Sequence, residues 1–129
     1  MGLWTFKCYI SENGRDLIGD WYSSELSPKA KAKFDTLLEH FRDTPHTKWG
    51  SSYLRPLTGY EGIFEICFQV LNVVYRPLGF FGADRYEFTF LIGAREHGDR
   101  FEPKTAPDTA QERMGDVLIN KERAHECNF

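Results

Sequence analysis

The spacing of apolar and polar residues divides the chain into strand-like and helix-like segments. Residues 3–10 are aromatic and partly alternating, which predicts an N-terminal strand. Between Arg15 and Glu25, apolar residues recur four positions apart, as they do on one face of a helix. A second helix is predicted from Ser27-Pro28, because serine caps a helix and proline suits its first position. Its apolar stripe continues to Phe41, so the two helices should form a hairpin.

The middle of the chain predicts a β-sheet. A polar loop without periodicity, residues 44–53, separates it from the helices. Strands are predicted at residues 63–70, 72–78 and 86–93, and Pro77 should interrupt the pairing of the second. Because short turns join them, these strands should be antiparallel. Six apolar side chains of the first and last strands are expected to face the helices: Phe64, Ile66, Phe68, Phe88, Phe90 and Ile92.

The chain should end in a third helix and a tail. A charged loop, residues 98–104, leads to helix-start signals at Thr105 and Thr109, and the helix is predicted to end near Arg123. From about residue 124 the tail is expected to be loose. Residues 1–129 are thus predicted to form one α+β domain, with an N-terminal strand, a helical hairpin, an antiparallel sheet of about four to five strands and a C-terminal helix.

The composition is that of a folded domain in a reducing compartment. Hydrophobic residues make up 41% of the 129 residues, which allows a packed core. No apolar run approaches the length of a membrane span, and the N-terminus lacks the basic start and cleavage site of a secretory signal. The three cysteines are odd in number and widely spaced, which argues against a disulfide framework. We therefore expect a cytoplasmic protein without a membrane partner.

Charge and metal-ligand spacing limit the chemistry that the chain can offer. The histidines and cysteines lack the spacing of a zinc site, so no metal site is predicted. The net charge is −3, whereas a protein that binds nucleic acid through its phosphates usually has a basic surplus. Any site for nucleic acid must therefore be a local basic patch.

Several strings of residues, taken in order, resemble the RelE/HigB toxins of the RelE/ParE superfamily, particularly their phage-derived HigB-like members. The strongest are residues 54–59 followed by 62–66, which are similar to the segment that enters the family's sheet. Residues 73–78 resemble its next strand, and residues 89–94 with 101–106 resemble the run before its last helix. Residues 26–33 match the start of its second helix, so the resemblance covers roughly residues 3–120.

The resemblance implies a RelE-like fold and the toxin component of a type II toxin–antitoxin system. Such a toxin is neutralised by a small antitoxin protein and typically cleaves mRNA on the ribosome, without a cofactor. Cys67 stands where the family has arginine, and residues 95–100 are charge-balanced where the family has lysines. A catalytically degenerate binding module and a ParE-like toxin directed at gyrase therefore stay open as alternatives.

RNA cleavage without a metal uses the substrate's own 2′-hydroxyl as the nucleophile, so the protein must move protons and stabilise charge on the phosphate. Arginine and lysine suit the phosphate, histidine can exchange protons near neutral pH, and aromatic rings can stack an unpaired base. The candidate catalytic residues are Arg76, His97, Lys104 and Arg55. The candidate substrate-binding residues are Arg95, Arg100 and Tyr75.

Each candidate also has a purely structural interpretation. Arg76, the first choice, could instead form an ion pair with Glu65 or Glu87 across the sheet. Arg55 and His97 could be ordinary exposed charges, and Cys67 is better explained as a small sheet residue than as a nucleophile. The lysines at the start of the second helix could contact ribosomal RNA or only form the solvated face of that helix.

Overall fold

The helices begin and end close to the predicted positions. In the computed structural model, which describes residues 2–129, they span Leu17–Glu25 (α1), Pro28–Arg42 (α2) and Ala106–Ile119 (α3). The Ser27 hydroxyl accepts a hydrogen bond from the Ala30 N–H at 3.2 Å, which confirms the predicted cap of α2. Asp16 caps α1 in the same way, through the Gly19 N–H at 2.9 Å. No helix within residues 2–129 is long and apolar enough to cross a membrane.

Among residues 2–129, ten short strands form two sheets, more than the four to five strands predicted. In chain order they are Thr5–Tyr9 (β1), Leu54–Pro56 (β2), Phe64–Ile66 (β3), Phe68–Val70 (β4), Val73–Tyr75 (β5), Leu78–Phe81 (β6), Glu87–Ile92 (β7), Arg95–His97 (β8), Arg100–Glu102 (β9) and Ala124–Glu126 (β10). The larger sheet has the order β10-β1-β7-β6-β3-β2, and the smaller sheet has the order β4-β5-β8-β9. The α+β class is confirmed.

The larger sheet is mixed, because the N-terminal strand joins it in parallel, whereas the strands predicted to be antiparallel pair as predicted. β1 pairs with β7 in parallel, with Thr5 opposite Glu87, while β7, β6, β3 and β2 pair antiparallel. The antiparallel rule applies to strands joined by short turns. β1 is instead followed by the helical hairpin, which carries the chain away before β7 returns beside it.

Two predicted strands are each divided between the sheets. Residues 63–70 break at Cys67, so that β3 lies in the larger sheet and β4 in the smaller one. Residues 72–78 break at Arg76-Pro77, where proline cannot donate a ladder hydrogen bond, and this divides β5 from β6. The charged segment predicted as a loop, residues 98–104, instead contributes β9, which pairs with β8 as a hairpin.

Aromatic rings fill the core between the helices and the sheets. Phe34 of α2 stacks on Phe68 with the ring centres 5.2 Å apart and meets Phe90 edge-on at 5.5 Å. Trp49, from the predicted polar loop, is only 2% exposed and stacks on Phe41 at 4.6 Å. Its indole N–H donates to the Phe41 carbonyl at 3.1 Å, so the ring is buried with its polar atom satisfied.

The C-terminal residues are ordered by β1, which corrects the expectation of a loose tail. β10 pairs antiparallel with β1, and a disulfide joins Cys8 to Cys127. The expectation that the chain has no disulfide, drawn from the number and spacing of its cysteines, is therefore wrong. Spacing along the chain says nothing about two residues 119 positions apart, which a strand pairing brings to a Cα–Cα distance of 5.1 Å.

Candidate functional site

The most distinctive surface feature is a cleft on the outer face of the smaller sheet, which we call the outer cleft. Phe68 and Tyr75 face the core, so the alternation of strand side chains directs their neighbours outward. The cleft has a volume of about 430 Å³. Its lining includes the basic side chains Lys33, Arg55 and Arg76, one acidic side chain, Glu96, and the residues Tyr53, Cys67 and Gln69.

Arg76 is held in an ion pair beneath this cleft. Its Nε and Nη2 atoms both lie 2.7 Å from Oε2 of Glu65, whose side chain is only 5% exposed. Its Nη1 lies 3.7 Å from Oε1 of Glu96, and the guanidinium sits 3.9 Å from the ring centre of Phe101. The ion pair with Glu65 that the sequence suggested is therefore present, whereas Glu87 lies near Lys7 instead.

Arg55 is the more accessible arginine of the outer cleft. It lies opposite Glu65 in the β2–β3 pairing, and its Nε is 3.8 Å from the Glu65 Oε1. Its side chain is 50% exposed, compared with 18% for Arg76. One buried carboxylate thus orients both arginines, and Arg55 keeps donors free to meet a ligand at the surface.

Lys33 of α2 and Cys67, at the break between β3 and β4, complete the cleft. Lys33, on α2, donates from Nζ to the Gln69 carbonyl at 3.1 Å and brings a third positive charge to the lining. Burial raises the pKa of the Cys67 thiol, and the nearby Arg55 lowers it less than burial raises it. The thiol is therefore protonated at neutral pH, which fits a packing residue and not a thiolate nucleophile.

Four of the predicted basic residues lie away from the outer cleft, on or beside the β8–β9 hairpin. Glu96 and Phe101 of this hairpin contact Arg76, so by strand alternation Arg95 and His97 point to the opposite face of the sheet. The register places His97 opposite Arg100 on that face. His97, Arg100 and Lys104 line a separate groove of about 570 Å³.

The hairpin's charges are partly paired among themselves. Arg95 Nε and His97 Nδ1 lie 3.3 and 3.6 Å from the same Glu102 carboxylate oxygen, and the His97 side chain is 82% exposed. Within residues 2–129, neither Arg100 nor Lys104 has a carboxylate oxygen within ion-pair distance of its side-chain nitrogens. The structure thus separates His97 from Arg55 and Arg76, which the sequence analysis had grouped together.

Tyr75 is not available to stack a base, which corrects its assignment as a substrate-binding residue. It is only 4% exposed, and its ring stacks on Phe68 with the centres 5.1 Å apart. Tyr53 and Gln69 were not predicted as site residues, and Lys33 was named only as one of the α2 lysines that could contact ribosomal RNA. Gln69 carried a usable signal, because strand alternation places it on the same face as Cys67.

The arrangement suits an anionic ligand. Across residues 2–129, no three or more His, Cys, Asp or Glu side chains are grouped as they would be around a metal ion. Comparison of the chain with protein-family models, with curated proteins and with solved structures found no match. The functional argument therefore depends on the geometry of the outer cleft and on the sequence strings described above.

Proposed function

We propose that this protein is a RelE/HigB-like toxin that cleaves mRNA on the ribosome, and that the outer cleft binds the scissile phosphate. The observation that carries the proposal is the convergence on one open cleft of Lys33 from α2, Arg55 from β2 and Arg76 from the break between β5 and β6. The order of a strand, a helical hairpin, a sheet and a C-terminal helix agrees with the fold that the sequence resemblance implies.

The proposed reaction needs only the RNA and the protein. The 2′-oxygen of the RNA forms a bond to phosphorus, the bond to the 5′-oxygen breaks, and one proton leaves the 2′-hydroxyl while another reaches the 5′-oxygen. Arg55 and Lys33 stabilise the phosphate charge, and Arg76, fixed by Glu65, sets the position of the site. Tyr53 lines the same cleft and has a phenol that can donate a proton.

The candidate residues outside the outer cleft are assigned to mRNA binding and not to cleavage. His97, Arg95, Arg100 and Lys104 lie on or beside the β8–β9 hairpin, so we assign them to contacts with a neighbouring segment of the ribosome-bound mRNA. A small antitoxin protein would neutralise the toxin by covering the outer cleft. Acidic side chains of the antitoxin would pair with Arg55 and Lys33 there.

A binding module that has lost catalysis is the second candidate, and one observation favours it. Glu65 and Glu96 already neutralise Arg76, while the whole chain carries a net charge of −3. An arginine committed to internal carboxylates has less positive charge to offer a phosphate. This candidate keeps the antitoxin as a partner and removes RNA cleavage.

Tightly induced expression with mapping of mRNA 5′ ends tests the two candidates. Attack by the 2′-hydroxyl leaves a 5′-hydroxyl, so new ends should require phosphorylation before ligation into the sequencing library. Arg55→Gln should reduce cleavage by about 10²-fold, the usual effect of removing one charge-stabilising donor. Arg15→Gln is the matched control, because Arg15 pairs with Asp20 on α1, outside the cleft lining.

The Arg76 position requires a paired variant, since Glu65 must not be left buried with an unpaired charge. Glu65→Gln combined with Arg76→Gln keeps a hydrogen-bonded pair and removes both charges. Loss of cleavage in this variant and in Arg55→Gln, with circular dichroism unchanged, would support the endoribonuclease. Folded wild-type protein that leaves growth and mRNA ends unchanged would favour the binding module, and full cleavage by both cleft variants would contradict the assigned site.

A further inference from the structure

The last six residues, 124–129, lie along the edge of the larger sheet, and we call them the C-terminal strap. β10 pairs with β1 over three residues, and the Cys127 N–H donates to the Phe6 carbonyl at 3.0 Å. The Cys8–Cys127 disulfide adds the one covalent link between the strap and the sheet. A three-residue pairing at the edge of a sheet is the kind of structure that frays when nothing else holds it.

The strap covers apolar surface on the helical hairpin. The ring of Phe129 stacks on Tyr22, with centres 4.4 Å apart and planes at 9°, and it lies 5.4 Å from the ring of Phe34. Phe34 is fully buried in the core. Release of the strap would therefore expose both the hydrogen-bonding edge of β1 and the side of an aromatic core cluster.

A second set of contacts limits how far the strap can open. Arg123, directly before it, donates from Nε to the Ile10 carbonyl at 3.1 Å and from Nη2 to the Tyr9 hydroxyl at 2.6 Å. The Ile10 N–H in turn donates to the Arg123 carbonyl at 2.7 Å. These contacts do not involve the strap, so they should persist after it leaves and stop the opening at Arg123.

We infer that the Cys8–Cys127 disulfide is a redox latch, which holds the strap on β1 when oxidised and releases residues 124–129 when reduced. A dithiol supplies the two electrons. Its first thiolate attacks Sγ of Cys127, which is more exposed than the fully buried Cys8, and the bond to Cys8 breaks. Its second thiol then displaces Cys127, leaving two protein thiols and an oxidised dithiol. The inference is independent of RNA cleavage.

Hydrogen exchange on the full chain, oxidised and then reduced with dithiothreitol, tests the latch. Reduction should remove the protection of the Cys127 amide and of the β1 amides that face the strap. The Ile10 amide and the amides of α2 should stay protected. Chemical labelling gives a second readout. After reduction, iodoacetamide should modify Cys127 and also Cys8, which is fully buried in the closed structure, whereas labelling of Cys67 should be the same before and after reduction.

Two variants separate the latch from other effects of reductant. Cys67→Ser keeps the disulfide and should respond to dithiothreitol as the wild type does. Cys8→Ser with Cys127→Ser should exchange as the reduced wild type does, with or without dithiothreitol. Unchanged protection of β1 and the strap after reduction would overturn the inference, and so would loss of protection throughout α2, because the disulfide would then hold the whole fold together.

Discussion

At the scale of single residues, Glu65 is the group on which the outer cleft depends. Its carboxylate is 5% exposed and lies 2.7 Å from Arg76 and 3.8 Å from Arg55. Transfer of such a charge from water costs several kcal/mol, which an ion pair and hydrogen bonds offset only while both partners are present. Arg76 therefore has a structural function whatever the cleft binds.

Because Glu65 depends on Arg76, replacing Arg76 alone should destabilise the protein more than replacing both residues together. Arg76→Ala should lower the free energy of unfolding by about 3–5 kcal/mol, because Glu65 would be left buried and without its closest partner. Glu65→Gln with Arg76→Gln should cost clearly less, since neither side chain is then charged. Urea unfolding followed by circular dichroism measures both. Equal losses in the single and the paired variants would show that the ion pair does not determine the stability of the site.

The sequence predicted Glu65 as a partner of Arg76. It did not predict that His97 lies on a different face of the sheet from Arg76. Glu65 was identifiable because it lies on a strand close to Arg76 along the chain. The position of His97 relative to Arg76 depends on the pairing of β8 with β5, in which Arg95 lies opposite Tyr75, and one residue of register decides which face a side chain occupies. No property of residues 95–102 taken alone predicts that register.

At the scale of secondary-structure elements, α1 and α2 are joined through Tyr22. Its hydroxyl donates to an Asp35 oxygen at 2.9 Å, and its ring lies under Phe129 of the strap. Burial is the main cause that raises the pKa of Tyr22 to about 12, and the hydrogen bond to Asp35 adds to the shift. The neutral phenol is therefore favoured in the folded protein more than in the unfolded chain.

Because the pKa of Tyr22 rises on folding, its contribution to the stability of the α1–α2 hairpin depends on pH. A pKa that rises on folding contributes stability fully below the unfolded value near 10, and the contribution is lost as the pH rises toward about 12. Tyr22→Phe keeps the ring and lacks the titrating group. The melting temperature of the wild type should exceed that of Tyr22→Phe near neutral pH, and the difference should shrink as pH rises from 10. A constant difference would contradict the assignment of the shift to Tyr22.

At the scale of the whole molecule, local sequence signals predicted the individual helices and strands. They did not predict which distant segments of the chain pair with one another. The boundaries of α2 come from Ser27 and Pro28, which act through hydrogen bonds and backbone angles within one turn. The division of two strands at Cys67 and Pro77, and the disulfide from Cys8 to Cys127, depend on segments that meet only after folding. For the same reason the sequence predicted cationic candidates without predicting which of them share a cleft.

The charge of the whole molecule limits how the outer cleft can bind RNA. A net charge of −3 gives no long-range attraction, so under the proposed function phosphate binding in the outer cleft must come from contacts made by Lys33, Arg55 and Arg76. For a single strand, the logarithm of the affinity falls with the logarithm of salt by about 0.7 for each phosphate contacted. Two or three contacts predict a slope of about −1.4 to −2, or roughly a tenfold loss between about 50 and about 200 mM salt.

A 2′-O-methyl RNA oligonucleotide measures this slope without cleavage, because it lacks the attacking hydroxyl. Arg55→Gln should make the slope shallower by about 0.7, the contribution of one contact, and Arg15→Gln should leave it unchanged. A wild-type slope near zero would mean that RNA phosphates do not bind in the cleft. A slope steeper than about −4 would require more cations than the outer cleft contains, and would mean that the β8–β9 hairpin and the exposed lysines of α2 also contact the phosphates of the oligonucleotide.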